Sequence, residues 1–105
     1  MTTNGLKTTE NLYGQIEYEI EENLGGTLIY IVYMPAKKTL DLTTLRPWLD
    51  GIDRTDLGNL IDKTYHGLNE ALSPMFLAIQ IQRGGLKVNK PSVNSPTYDP
   101  ACFGV

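Results

Sequence analysis

The sequence predicts one α+β domain whose elements follow the order strand, strand, helix, helix, strand, strand. Two observations predict this class: apolar residues recur with a period of two at both ends of the chain, and with a helical period in its middle. Glycine-rich turns separate the strands. The 105 residues suffice for one hydrophobic core. We therefore expect a single domain over residues 12–90.

The first strand is predicted in residues 12–22, where three apolar residues alternate with polar and acidic ones: Ile16, Tyr18 and Ile20. The sequence NLGG at residues 23–26 then predicts a hairpin turn. The preceding residues 1–11 are polar and rich in threonine, which indicates a flexible N-terminal arm.

The second strand, residues 27–34, is apolar on both of its faces and ends at Pro35. A two-layer domain covers only one face of its sheet. A neighbouring subunit is the simplest cover for the other face, so we expect a homo-oligomer.

Two helices are predicted next. The first spans residues 42–52 with Asp41 as its N-cap, although Pro47 is tolerable only near a helix start or in a distorted turn. The second begins after Asp53, Thr55 or Asp56 and ends at residues 73–74. Its apolar stripe comprises Leu57, Leu60, Ile61, Tyr65, Leu68 and Leu72.

Two further strands complete the predicted sheet. Residues 75–82 alternate strictly, residues 83–85 form a turn, and residues 86–88 begin the last strand. Residues 91–105 contain three of the six prolines, which indicates an irregular C-terminal tail.

Composition argues against several classes of function. The formal net charge is −3 and no basic patch is visible, so we expect no nucleic-acid partner. The longest apolar run, residues 28–34, is too short to span a bilayer, and the first residues lack a signal-peptide pattern. We therefore expect a cytoplasmic protein without membrane contact.

Side chains for metal or nucleophilic chemistry are scarce. Cys102 is the only cysteine and His66 the only histidine, so a metal site is not expected. Cys102 is either a surface thiol or a nucleophile lacking a nearby base. His66 neighbours the stripe of the second helix and is expected to be exposed or at its boundary.

Four segments together resemble one family: IYIVYMP at residues 29–35, LDLTTLRPWL at 40–49, LSP at 72–74 and RGGL at 83–86. They are similar, at the right overall spacing, to the QueF nitrile reductases of queuosine biosynthesis, which belong to the tunnelling-fold (T-fold) superfamily. The resemblance implies a ββααββ domain with a four-stranded antiparallel sheet and two helices on one face. It also implies that subunits join into a ring or barrel.

The resemblance also implies ligand-binding positions. Asp41 takes the place of the signature acid, Arg46 that of its second lysine and Trp48 that of its aromatic residue. Asp56 lies one position before the expected base-binding pair, and Arg83 precedes the matching Gly-Gly. The implied ligand is a purine- or pterin-like small molecule. Each residue also has a structural alternative: a helix cap for the two aspartates, core packing for Trp48 and a solvated turn for Arg83.

The departures from the family pattern concern its catalytic residues. Tyr18 stands where the family has its cysteine, and Gly25 where it has an aspartate. The His-Glu pair that grips the base falls on residues 57–58, Leu-Gly, and the lysine linked to NADPH falls on Thr43. We therefore assign no catalytic residue and no cofactor; NADPH enters only if the protein is an enzyme.

Three functions remain open at this point. The chain is a ring-forming QueF relative, degenerate for nitrile reduction, with a binding or structural role. Alternatively, it is an active 7-deazaguanine enzyme of the queuosine or archaeosine type, or a pterin-pathway enzyme, that takes its missing groups from another subunit or a partner. The third possibility is an unrelated ring-forming interaction module.

Overall fold

A computed structural model describes residues 5–90 of the chain. Eight elements follow one another: β1 (Thr8–Glu10), β2 (Tyr18–Leu24), β3 (Thr27–Met34), β4 (Lys38–Leu40), α1 (Leu42–Asp50), α2 (Leu57–Leu72), β5 (Phe76–Arg83) and β6 (Leu86–Lys90). The predicted tail, with Cys102, lies outside the described residues.

The main sheet has four antiparallel strands in the order β2-β3-β5-β6. Both helices lie in the connection between β3 and β5, so the predicted α+β class is confirmed and the order is compatible with ββααββ. The β2–β3 hairpin turns at Gly25 and Gly26, whose φ angles of 60° and 92° match the type I′ turn that suits twisted strands. Residues 84–85 close the β5–β6 hairpin.

A second, two-stranded sheet corrects the expectation of a flexible arm. β1 pairs antiparallel with β4, with Thr8 opposite Leu40, and Leu6 is buried in the core. Residues 1–4 lie outside the described part, but residues 6–10 are tied to the domain. The two strands have three residues each, which is too short for an alternating pattern to show in the sequence.

The helix caps follow the predicted chemistry. The Asp41 carboxylate accepts a hydrogen bond from the backbone N–H of Thr43 at the start of α1, and Asp56, of the three candidates, caps α2. Pro47 lies inside α1 rather than in its first turn, and it is exposed to solvent. The helix ends at Asp50, two residues earlier than predicted, with Gly51 as its C-cap.

One face of the sheet forms the hydrophobic core with both helices. The whole predicted stripe of α2 is buried, as are Leu45 and Leu49 of α1. The sheet contributes the inward-facing side chains Ile29, Ile31, Tyr33, Leu77, Ile79 and Ile81. His66 points to solvent, as expected.

The opposite face of the sheet, here called the open face, has an apolar part beside the polar residues Gln80 and Gln82. Its central side chains are Leu28, Tyr30, Val32, Met34, Phe76 and Ala78. Four of them are only half-buried, and no helix within residues 5–90 lies on this side. The structure thus retains the feature that motivated the prediction of an oligomer.

Candidate assembly edges and the groove beside them

The two outer strands of the sheet leave their outer edges unpaired within residues 5–90. Edge strands present free backbone donors and acceptors that can pair with another chain. β2 and the residue before it are acidic, with Glu17, Glu19, Glu21 and Glu22. β6 at the opposite edge is basic, with Lys87 and Lys90. The sheet therefore has one negative and one positive edge.

Some of these charges are already engaged. Glu22 lies 3.5 Å from the Arg46 guanidinium, and Glu19 accepts a 2.8 Å hydrogen bond from the hydroxyl of Tyr30. This hydrogen bond raises the pKa of Tyr30, because it favours the protonated phenol. Lys90 donates to Asp62 at 3.0 Å.

Three charged side chains at the edges are not engaged in this way. Glu17 and Glu21 on the β2 side, and Lys87 on β6, form no ion pair or side-chain hydrogen bond among the described residues. All three are exposed. The charged side chains without such a partner are therefore negative at the β2 edge and positive at the β6 edge.

A groove of about 250 Å³ lies beside the start of β2. Its lining combines β2, β3, β4 and the first residue of α1: Tyr18, Glu19, Ile20, Tyr33, Thr39, Leu40 and Leu42. The rings of Tyr18 and Tyr33 stack with their centroids 5.3 Å apart. We call this the tyrosine groove.

Two polar side chains of the tyrosine groove already have a partner within the chain. The hydroxyl of Tyr33 accepts a hydrogen bond from the backbone N–H of Leu40 at 3.1 Å, and burial raises its pKa. The Glu19 carboxylate is engaged by Tyr30. Leu42 is 57% exposed, which is unusual for a large apolar residue beside a cleft. The apolar part of the lining, Ile20, Leu40 and Leu42, can therefore receive an apolar side chain.

The two predicted site aspartates cap helices. Asp41 accepts from the hydroxyl of Thr43 at 2.6 Å and from its N–H at 3.1 Å, and both bonds lower the pKa of its carboxyl group. Asp56 accepts from the N–H of Gly58 at 3.0 Å. Both contacts match the structural alternative stated for these two aspartates, in which each one caps a helix by accepting from a free backbone N–H.

Arg46 and Trp48 connect α1 to its neighbours. Arg46 donates to the carbonyl of Asn23 at 3.2 Å, next to its ion pair with Glu22. The half-buried Trp48 packs its indole against Gly67 in α2. Both side chains thus hold α1 in place.

Arg83 fastens the connection between the helices to the sheet. Its Nε donates to the hydroxyl of Thr27 at 2.9 Å, and its two terminal nitrogens donate to the carbonyls of Arg54 and Thr55. Arg83 is therefore not a solvated turn residue. These three hydrogen-bond donors are already used within the chain and are not free to bind a phosphate. No hydrogen bond or ion pair in the described residues joins two of the five predicted site residues.

The positions matched to the family's catalytic pattern are also spread out. Tyr18 lies in the tyrosine groove, Gly25 in the hairpin turn, and Leu57 is buried at the start of α2. The sequence reasoning missed the groove, because its walls come from four separate elements. An apolar residue at the first position of α1, Leu42, was the one local signal.

No helix within residues 5–90 is long and apolar enough to cross a membrane. In the same part of the chain, no cluster of three or more His, Cys, Asp or Glu side chains is placed to hold a metal ion. No protein-family model matches the chain, and no curated protein matches it significantly.

Proposed function

We propose that this protein is a ring-forming subunit, related to the tunnelling-fold QueF proteins but degenerate for nitrile reduction, with a binding or structural role. The observation that carries the proposal is the pair of unpaired sheet edges with opposite charge. A surface that is complementary to another part of the same molecule joins copies head to tail.

Strand direction permits this pairing. In the antiparallel order β2-β3-β5-β6, the first and last strands run in opposite directions. β6 of one copy can therefore lie antiparallel to β2 of the next copy, so that the sheet continues from subunit to subunit. Because sheets twist with a fixed hand, a continued sheet curves, and a curved row of subunits can close into a ring.

Closure also accounts for the open face. A continuous sheet has one face covered by the helices and one lined by the apolar row of β3 and by Phe76 and Ala78 of β5. In a closed ring with the helices outside, the open faces line the interior and face each other. A monomer would leave this surface in water, which soluble monomers rarely tolerate over more than a few hundred Å².

A binding or structural role fits the chemistry better than nitrile reduction. A covalent nitrile reduction needs a thiolate, and Tyr18 at the matched position carries a phenol instead. The five implied ligand residues are engaged in caps, helix packing and loop contacts. An active enzyme for a 7-deazaguanine or a pterin would need its reacting groups from another subunit or partner.

Charge reversal at one edge tests the proposal. Lys87→Glu places like charges across the joint, so the assembled fraction should fall in sedimentation velocity at low salt. Lys63→Glu makes the same charge change at an exposed position of α2, outside both edge strands, and should leave assembly unchanged. Adding Glu21→Lys to Lys87→Glu should restore assembly. If Lys87→Glu and Lys63→Glu behave alike, the edges are not the joint.

A further inference from the structure

We infer that Leu86 of a neighbouring copy fills the tyrosine groove, in a register that places it opposite Ile20. This inference rests on the proposed edge-to-edge assembly and adds to it the occupant of the groove. The site is incomplete within one chain, because the filling side chain belongs to the next subunit.

The groove has the size and lining for a side chain. Small-molecule clefts usually measure roughly 300–1,000 Å³, with several free polar groups that orient the ligand. The tyrosine groove measures about 250 Å³, and its Tyr33 hydroxyl and Glu19 carboxylate already have partners within the chain. An apolar side chain that arrives on an adjoining strand meets these conditions.

Leu86 is suited to be that side chain. It is 65% exposed at the start of β6, the positive edge strand. It lies opposite Arg83, and Val88 lies opposite Ile81, so both side chains point to the helix side of the sheet. Tyr18 and Ile20 point to the same side at the negative edge. Continuing the sheet therefore keeps Leu86 on the side of the groove.

The side-chain pattern selects one register. Only shifts by two residues keep the two faces aligned across the joint, because side chains alternate along a strand. With Leu86 opposite Glu22, an apolar side chain would meet the carboxylate that Arg46 holds. With Leu86 opposite Tyr18, four of the five β6 residues would lie beyond the start of β2, whereas three of the five pair within β2 when Leu86 lies opposite Ile20. With Leu86 opposite Ile20, Val88 meets Tyr18, and both pairs are apolar.

The charges on the open face are compatible with this register. When Leu86 lies opposite Ile20, Lys87 lies opposite Glu19, with Glu17 and Glu21 on the two diagonals. Diagonal neighbours in a sheet are about 7–8 Å apart, which is within reach of long side chains. The unengaged lysine of one copy thus meets both unengaged carboxylates of the next.

Cysteine pairing between two different chains tests the register. In a Cys102→Ser background, a chain with Ile20→Cys is mixed with a chain with Leu86→Cys and oxidised mildly. Within one chain these positions are three strand spacings apart, roughly 14 Å, which exceeds disulfide reach. Every disulfide between positions 20 and 86 is therefore intermolecular. The matched control pairs Glu22→Cys with Leu86→Cys, which the excluded register would favour.

We expect the 20–86 dimer to form at least tenfold faster than the 22–86 dimer. Equal rates, or a faster 22–86 link, in a protein that still assembles would overturn the groove inference and leave the ring proposal standing. A chain of monomer mass under all conditions would overturn both. If the chain's own residues 91–105 fill the groove instead, the protein would still assemble but the disulfide between positions 20 and 86 would not form. This result would also overturn the inference.

A truncation gives an independent readout that does not depend on introduced cysteines. Leu86→Ala removes most of the side chain from an exposed position, so the variant should fold, and the dissociation constant between subunits should rise about tenfold. Met75→Ala, at an exposed apolar residue before the central strand β5, is the matched control and should change it less than twofold. Equal effects of the two truncations would contradict the assignment of Leu86.

Discussion

The indole of Trp48 lies so close to the Cα of Gly67 that a side chain cannot fit between α1 and α2 at this point. A Cβ built on Gly67 would overlap Cζ2 of the ring and lie 2.7 Å from Cη2. Gly67→Ala should therefore destabilise the protein, although alanine favours a helix interior by about 1 kcal/mol over glycine. Overpacking of this kind costs about 1–3 kcal/mol. Urea unfolding, with Trp48 fluorescence as a second signal, measures the change.

Gly58→Ala is the matched control in the same helix. A Cβ at Gly58 would lie 3.5 Å from Oδ1 of Asp56, which is an ordinary contact. This variant should be neutral or slightly more stable. A Gly67→Ala protein that is as stable as Gly58→Ala would show that the indole moves aside without cost.

The guanidinium of Arg83 is the basis of a second prediction. Because it donates to three acceptors on two segments, Arg83→Lys should lose the fork geometry and leave carbonyls of residues 54–55 without partners. We expect a loss of about 1–3 kcal/mol in unfolding free energy and faster amide exchange in residues 52–56. Arg46→Lys alters a more exposed guanidinium and should change stability by less than about 0.5 kcal/mol. Equal losses would contradict this difference.

Acid should weaken the Asp41 helix cap and the Asp53 loop contact in a defined direction. Hydrogen bonds from Thr43 hold the pKa of Asp41 below its usual value, and those from Thr55 do the same for Asp53. A carboxyl group whose pKa is lowered by folding stabilises the fold above its unfolded pKa of about 3.9, and this contribution is lost as pH falls through the folded pKa.

Asp41→Asn should therefore lower stability at pH 7 and flatten the loss of stability below about pH 4, relative to the unchanged protein. Thermal unfolding between pH 7 and pH 2.5 measures both effects. Glu70→Gln removes an exposed carboxylate of α2 and should leave the acid profile as it is. An Asp41→Asn profile parallel to that of the unchanged protein would refute the cap contribution.

The chain alone should not reduce 7-cyano-7-deazaguanine with NADPH. The matched position for the attacking thiolate is Tyr18, and the matched base-binding pair offers a buried Leu57 and the capped Gly58. When the absorbance of NADPH is followed at micromolar protein, no consumption of NADPH that depends on the nitrile substrate should be seen. Substrate-dependent consumption that survives Cys102→Ser would instead restore the enzyme interpretation.

Periodic patterns in the sequence were enough to predict the core elements. The two-sided pattern of residues 75–82 and the stripe of α2 each depend on neighbours close in sequence, and α1, α2, β3, β5 and β6 lie within two residues of the predicted bounds, whereas β1 and β4 were not predicted. β2 begins at Tyr18 rather than at residue 12, because Gly14 adopts a positive φ of 79° and Asn11 bonds locally to Gly14.

The roles of individual polar residues were harder to predict, because their partners are distant in sequence. Arg83 meets Thr27, 56 positions earlier, and Tyr33 meets the backbone of Leu40 only after β4 folds back. Nothing in residues 83–86 alone distinguishes such a loop clamp from a ligand contact. The tyrosine groove was invisible for the same reason.

The mass of the full chain in solution tests the central claim most directly. Sedimentation equilibrium from about 1 to 100 μM, at low salt, should give a mass that is one fixed multiple of the 11.7 kDa chain, as expected for a closed ring. Dilution below this range, or added salt, should shift the population toward the monomer. A single species of 11.7 kDa across this range would contradict assembly through the sheet edges, and a mass that grows without limit would contradict closure.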